Sequence, residues 1–323
     1  MPPGVPAGAF GSRLHSLLSL LAGGSRLDQR PLQQIARDLF GLSLALGMIA
    51  KLRRQTAAVL ERPVAELRPH VRQAEVVHID ETSWREDQAK AWLWVALTPL
   101  VTVFTIAATR CGGVARQILG EVARRVIVSE RFPSSGWIEL RQSCWAHLRR
   151  EFQAMIDRGG EAAEVGRRLL EHSHKLFHWW HRVRDGTLAR STLKGSTDPW
   201  RGAVRQDLRR GAECSCAKTA ATCRKLLGGE QHLWTSLRIA GVDPTNTAAE
   251  RALRHAVIWR KLSGGTVSGS GSPFVERMVS AVATCRQQGR NVLEYLIACH
   301  EADLLGHPAP SLLPEDSMGS VAA

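Results

Sequence analysis

The chain has 323 residues, enough for one large domain or two ordinary ones, and its 44% hydrophobic content fits a packed globular protein. Forty-three Lys and Arg stand against 30 Asp and Glu, a net charge of +13, which points to a polyanionic partner, most often nucleic acid, with a merely basic protein as the alternative. Seven scattered cysteines without a disulfide-framework spacing, no secretory signal and no apolar run long enough to span a bilayer exclude a small secreted scaffold and a membrane-spanning chain, and point to a reducing cytoplasm.

Residues 1–11 are rich in Pro, Gly and Ala and are expected to fray. From Ser12 to Gln73 the pattern is helical, with Leu14, Leu17, Leu18 and Leu21 forming one apolar stripe. A second helix is predicted over 31–39 with Asp28 as its N-cap, a break at Gly41, and a longer helix over 44–60. Helix, short glycine turn, helix is compatible with a DNA-reading helix-turn-helix; an ordinary helical hairpin is the alternative. Near Ala74 the periodicity changes. Val76–Asp80 reads as a short strand ending in an acid, and Ala91–Leu97 and Val101–Ile106 read as hairpin-connected strands around Thr98-Pro99-Leu100. Gly112-Gly113 introduces a helix over 114–119, Arg125–Glu130 is a fourth strand ending in an acid, and Glu139–Ala146 is a candidate fifth. Residues 147–235 look helical, broken at Lys194–Pro199. A strong helix follows over 245–261, then a Gly/Ser loop over 264–273, two helices split around Gly289, and a Pro/Ser-rich tail from Gly306 expected to be disordered. The predicted class is α/β: a mixed sheet covered by helices.

Three acids invite a functional reading. Asp80 and Glu130 close predicted strands, where loops open and functional side chains gather, and Glu250 lies near the start of a late helix. Between Asn246 and Arg290 there are seven Lys/Arg against two acids. Carboxylates from three separate segments are what a Mg²⁺ site requires, and two such ions would clamp the attacking and leaving oxygens of a phosphoryl transfer. Each acid also has a plainer reading: Asp80 as a turn former, Glu130 as a surface ion pair with Arg131, Glu250 as an i,i+4 pair with Arg254. Glu81 competes with Asp80 but should point to the opposite face of an extended chain.

Other clusters are incomplete. His174, His178 and His181 share a helix face beside Trp179 and Trp180, which a packing helix explains as well as a metal site does. Cys144 and His147 are half of a zinc pattern, and Cys214, Cys216 and Cys223 lack partners, so no zinc is expected. Arg149 and Arg150 could hold DNA phosphates or simply open a solvated helix. The Gly-rich stretch 263–272 lacks the lysine of a P-loop, and most of the ten tryptophans are expected in the core rather than stacked on bases.

Seven stretches together carry a resemblance: His78-Ile79-Asp80-Glu81-Thr82-Ser83-Trp84, Cys144-Trp145-Ala146-His147-Leu148-Arg149-Arg150-Glu151-Phe152, Thr245–Arg254, Arg260–Ser263, Gly265-Thr266, Phe274–Met278 and Arg286–Leu293. In this order, over about residues 10–305, the chain resembles transposases of the insertion sequence 66 family. The resemblance implies a ribonuclease-H-like fold and a DDE-type enzyme that cuts element ends and joins them to target DNA with Mg²⁺ or Mn²⁺, two ions being expected. It implies Asp80 as the first catalytic acid and metal ligand and Glu250 as the last, with a helical insertion at about 147–235 before it. Glu130 stands where the family has aspartate; its extra methylene displaces the carboxylate, so an impaired copy is expected. Relatives carry a further N-terminal portion with a zinc-binding module, so the chain looks truncated. Arg149, Arg150, Arg254, Arg260 and Lys261 are the expected phosphate contacts. The expected organisation is a helical region over 1–73, a catalytic domain over 74–305 and a disordered tail over 306–323. DNA is the expected partner, with a homo-oligomer in the synaptic complex, no membrane, and a nucleoid-associated cytoplasmic location. The competing readings are an inactive DNA-binding remnant and a nuclease of the same fold.

Overall fold

The computed structural model describes residues 10–122, 124–130, 137–266 and 271–314. In chain order the elements are α1 (Ser12–Gly23), α2 (Gln29–Phe40), α3 (Leu46–Val59), α4 (Glu61–Gln73), β1 (Val76–Glu86), β2 (Ala89–Leu97), β3 (Thr102–Ala107), α5 (Gly112–Leu119), β4 (Val126–Ser129), β5 (Arg141–Ser143), α6 (Trp145–Asp157), α7 (Gly160–Arg184), α8 (Arg190–Ser196), α9 (Asp198–Glu213), α10 (Ala217–Gly228), α11 (Thr235–Arg238), α12 (Thr247–Ser263), α13 (Gly271–Gln287) and α14 (Val292–Leu304), with a 3-10 turn at Glu230–Leu233. Antiparallel and parallel strand pairs both occur, with helices packed on them, so the chain is of the mixed, ribonuclease-H-like α/β class. The chain divides into two compact units, residues 1–122 with 248–323, and residues 123–247. Of the predicted features, the leading residues 1–9, the middle of the Gly/Ser loop (267–270), Arg131 and the last residues 315–323 lie outside the described residues.

In the first unit α1 does not bury its leucine stripe deepest. Leu14, Leu17 and Leu21 are only half-buried, whereas Ser16, Ser19 and Gly23 are fully buried with Leu18 and Ala22. Small residues permit close approach: a Cβ on Gly23 would stand 2.1 Å from Met278 Cγ, and Ser19 Oγ lies 2.7 Å from Thr56 Oγ1 on α3. Helix α2 ends as predicted at Gly41, whose φ of 65° lets the Gly41 and Leu42 N–H groups donate to Arg37 and Ala36 carbonyls. The helix predicted over 44–60 stops at buried Leu60, and α4 follows at once. These helices fall in the same compact unit as β1–β3, and α1 and α3 pack on α13 and α14.

Strand β1 runs through to Glu86, so Asp80 lies within the strand and not at its end, a correction to the sequence expectation. The reason is cross-strand pairing: His78↔Leu97 through Glu86↔Ala89 is one unbroken antiparallel register, and the turn waits until Asp87 and Gln88. Those two residues have φ of 47° and 63°, the conformation of the tight hairpin turn that matches strand twist. Strand β3 pairs β2 in the predicted second hairpin. Its other edge is covered by α13. Thr284 Oγ1 and Ser280 Oγ accept from the N–H groups of Thr102 (3.1 Å) and Phe104 (2.9 Å), and the Glu276 carboxylate accepts from Ile106. Four residues of helix rise about 6 Å and two of strand about 6.6 Å, so the two repeats keep step. An edge that would invite foreign pairing is thus satisfied internally.

The tail is docked as far as it is described. Leu312 is fully buried, Tyr295 Oη donates to Pro310 O at 2.8 Å, and Arg290 and Gln288 bind the carbonyls of Ser311 and Leu312. The disorder predicted from Gly306 therefore fails over 307–314: the Pro/Ser composition conceals one apolar anchor.

In the second unit β4 and β5 are parallel, with Ile127↔Arg141 to Ser129↔Ser143 in register. The predicted fifth strand is shorter than 139–146, because α6 begins at Trp145. The break predicted at 194–199 narrows to Thr197 between α8 and α9, with Pro199 in the first turn of α9, where its missing N–H costs nothing. Trp145, Trp200 and Trp234 form the centre of this unit's core with ring centroids 5.0–6.3 Å apart, joined by Leu148, Phe152 and Leu208. The unit covers 123–247, wider than the expected insertion over 147–235.

Candidate catalytic acids and nucleic-acid contacts

Asp80 is 7% exposed on β1, opposite Val95, and its Oδ1 accepts the Glu81 N–H at 2.9 Å. Alternation sends Glu81 to the other face, where it meets Arg110 at 3.3 Å, and Arg110 in turn lies over the Trp92 ring. The two neighbouring acids are therefore divided by the pleat: Glu81 neutralises an arginine, and Asp80 is held in the interior. A carboxylate is rarely buried without function or partner.

Glu250 is half-buried in the first turn of α12, where the helix dipole favours a negative charge. Arg254 is exposed and makes no ion pair among the described residues, so the i,i+4 pairing considered for Glu250 does not form. Lys261 is likewise exposed. Arg260 is different. Its guanidinium donates to Thr82 Oγ1 at 3.2 Å and to Ser83, so it ties α12 to β1 two residues beyond Asp80. Gly265 then passes so close to Arg85 that a Cβ would stand 2.4 Å from its carbonyl oxygen, and Thr266 exchanges backbone hydrogen bonds with Arg85 and Asp87. The Arg260–Ser263 and Gly265-Thr266 stretches thus fasten the helix bearing Glu250 to the strand bearing Asp80.

Glu130 follows β4 in the second unit, where its carboxylate contacts His147 Nε2 on α6. The parallel register brings them together: the Cys144 N–H donates to Ser129 O at 3.2 Å, and His147 lies one turn further on. Burial alone would lower the His147 pKa. The hydrogen bonds to Cys144 and Glu130 and the Glu130 charge outweigh it and push the pKa up to about 10. His147 is therefore a cation at neutral pH, its Nε2–H donating to Glu130. Arg150, whose Nη1 lies 3.2 Å from the same nitrogen, cannot donate to a protonated ring and adds a second positive charge there. In the sequence His147 appears as half of a zinc pattern and within the Cys144–Phe152 stretch, and neither assigns it a partner; its position just after a predicted strand is the available signal. Cys144 is buried, and its Sγ accepts the Asn246 N–H at 3.1 Å.

Arg149 lies over Phe177 with a nitrogen 3.0 Å from His174, so it is packed along α7 while remaining exposed. The histidine this helix half-buries is His172, which donates from Nε2 to Asp207 (3.0 Å) and accepts the Trp200 indole N–H at Nδ1 (3.0 Å). Both ring nitrogens are occupied, so His172 cannot ligate a metal as it stands. Cys223 is buried, which pushes its thiol up to about 12. Among the described residues no helix is long and apolar enough to cross a membrane.

A family model, Transposase IS66 family, matches residues 26–272, more than three quarters of the chain. No curated protein matches.

Proposed function

The chain belongs to the IS66 transposase family, and from that premise we propose that it carries out DNA transposition by metal-dependent cleavage and strand transfer at the ends of its element. Asp80, Glu130 and Glu250 are the proposed metal ligands. The single observation that carries the reading is the buried Asp80 on a strand to which Arg260 fastens the helix of Glu250. The chain passes Thr82–Ser83 at Arg260 and Arg85–Asp87 at Thr266, in the same sense as β1. Glu250 lies ten residues before Arg260, about 15 Å of helix, a span that β1 covers in roughly four to five residues. A helix running back along β1 from Arg260 would bring its start level with the first half of β1, the arrangement that a shared metal site for these two acids requires.

The residue types suit the group: carboxylates are the hard oxygen ligands that Mg²⁺ or Mn²⁺ prefers. When bound, such ions supply Lewis-acid activation of the attacking oxygen and positive charge against the phosphate. The chain's own residues do the rest. The Glu81 N–H fixes the Asp80 carboxylate, so little reorganisation is needed there. Arg254 and Lys261, exposed on α12, and Arg149 and Arg150 on α6 offer cations to the DNA backbone. DNA is the proposed partner, and pairing two element ends calls for at least a dimer.

A second reading is favoured by one observation. Glu130 replaces the family's aspartate and is held by protonated His147, so its charge is already spent locally. A copy that binds DNA but joins it poorly fits that arrangement. The test is a strand-transfer assay on oligonucleotides carrying the terminal repeats that flank the coding sequence, with Mg²⁺ or Mn²⁺. Joined product that disappears in Asp80→Asn and Glu250→Gln supports the first reading. Product that persists in either variant sinks the assignment, and salt-sensitive binding with no product in the parent selects the second.

A further inference from the structure

The first unit contains a cleft of about 530 Å³ lined by the start of α2 (Asp28, Arg30), by α3 (Arg53, Arg54) and by Trp259 and Phe274. The acids discussed above do not line it. Its size falls within the ~300–1,000 Å³ of small-ligand sites. Three arginines line it against one aspartate. None of Arg30, Arg53 and Arg54 makes a hydrogen bond or ion pair among the described residues.

Arg53 is the informative one. It is half-buried, with its guanidinium carbon 4.6 Å from the centre of the Phe274 ring. Burial lowers its pKa, opposed by the charge of Asp28. A guanidinium taken from water usually finds an acceptor, and contact with an aromatic face replaces only part of its lost hydration. The stacking nevertheless holds the planar fork in one orientation, ready for a bidentate oxyanion. Beside it, α2 starts at Asp28 without a side-chain cap, so the helix contributes its positive end at the same rim. Trp259 is 3% exposed and lies edge-on to Phe274, so the cleft offers no open aromatic face for a base.

We propose that this cleft is a phosphate site for a nucleic-acid strand, with Arg53 as the inner contact, Arg30 and Arg54 at the rim, and the α2 N-terminus completing the donor set. The phosphate is taken as part of a strand because the chain is read as a transposase; the anion chemistry itself does not depend on that. Since no base can stack, the site holds the backbone whatever the sequence.

The test uses the full chain carrying Asp80→Asn, so that bound DNA is not cut. Fluorescence anisotropy measures its affinity for an element-end duplex and an unrelated duplex over a salt series. Arg53→Gln is expected to weaken both by about tenfold and to reduce the salt slope by about one. Arg54→Gln, at an exposed position, is expected to act in the same direction without any effect on folding. Arg13→Gln, a charge-matched change on α1, is expected to do neither. A parallel arm follows the melting temperature against sodium phosphate. Unchanged affinity and slope in both cleft variants overturns the proposal. Loss of phosphate stabilisation with DNA binding intact also overturns it, assigning the cleft to free phosphate. A parent that joins DNA in an Asp80-dependent way while Arg53→Gln and Arg54→Gln bind normally refutes the cleft alone; a parent that binds no duplex refutes the transposase reading and the strand assignment with it.

Discussion

Mild acid should destabilise this protein through a close histidine pair. His15 on α1 and His300 on α14 have ring centroids 3.9 Å apart, and His300 is 5% exposed. Thr56 Oγ1 lies 3.1 Å from His300 Nε2, and His15 Nε2 is 2.9 Å from Leu52 O. Burial, then the charge of His15, depresses the His300 pKa to about 3; burial also lowers that of His15, against the Leu52 carbonyl and the charge of Asp303. The unfolded chain binds a proton near pH 6.5, whereas the folded chain resists it down to about 3. Stability is therefore complete above about pH 6.5 and falls as pH drops through the window from 6.5 to 3. The slope approaches about 1.4 kcal/mol per pH unit, so His300 alone removes on the order of 2 kcal/mol between pH 7 and pH 5. For a chain of 323 residues that is a fall in Tm of roughly 3 °C. The assay is thermal unfolding of parent and His300→Leu at pH 7, 6 and 5. The variant loses the Thr56 contact at every pH but should lose much less than the parent between pH 7 and 5. A variant whose Tm falls as steeply as the parent's would show that the buried pair is not the sensor.

Four further outcomes follow from the geometry. Asp80→Asn should abolish metal-dependent joining while leaving the melting temperature near that of the parent, since the amide keeps an oxygen for the Glu81 N–H; a variant that still joins DNA removes Asp80 from the chemistry. Glu130→Asp should raise strand transfer and, by withdrawing the carboxylate from His147, lower the imidazole pKa from about 10, read by NMR titration; no gain in transfer counts against an impaired copy. Gly265→Ala should cost more than about 2 kcal/mol, from a φ of +114° and a collision with the Arg85 backbone, whereas Gly264→Ala, with φ of +74° and open space around it, should cost about 1; equal melting temperatures would refute the close-approach argument. Arg260→Gln should weaken strand transfer by displacing Glu250 relative to β1, and, because that guanidinium is spent on Thr82 and Ser83, it should reduce DNA affinity less than Lys261→Gln; the reverse order in anisotropy would restore Arg260 to the phosphate contacts.

The sequence by itself determined the kinds of element and their order. Leucine spacing and Gly41 set out the early helices, the β-branched runs at 76–80, 91–97 and 101–106 named three strands, and Gly289 separated α13 from α14. These are local signals: periodicity and backbone freedom act within a few residues. The motifs that flank the three acids are legible for a similar reason, because each is contiguous. Only the tertiary structure decided how those side chains are used. Asp80 proved to lie within a strand because the partner that extends β1 to Glu86 is the next hairpin arm, and pairing is not written in either arm alone. Arg260 proved to be a fastening because Thr82 and Ser83, some 178 residues away, receive its hydrogen bonds. Glu130 acquired a protonated histidine from the next strand–helix turn, and the Pro/Ser tail acquired a buried leucine. Partners distant in the chain meet only after the core has closed, and charge, burial and hydrogen bonding are properties of that meeting rather than of the residues taken one by one.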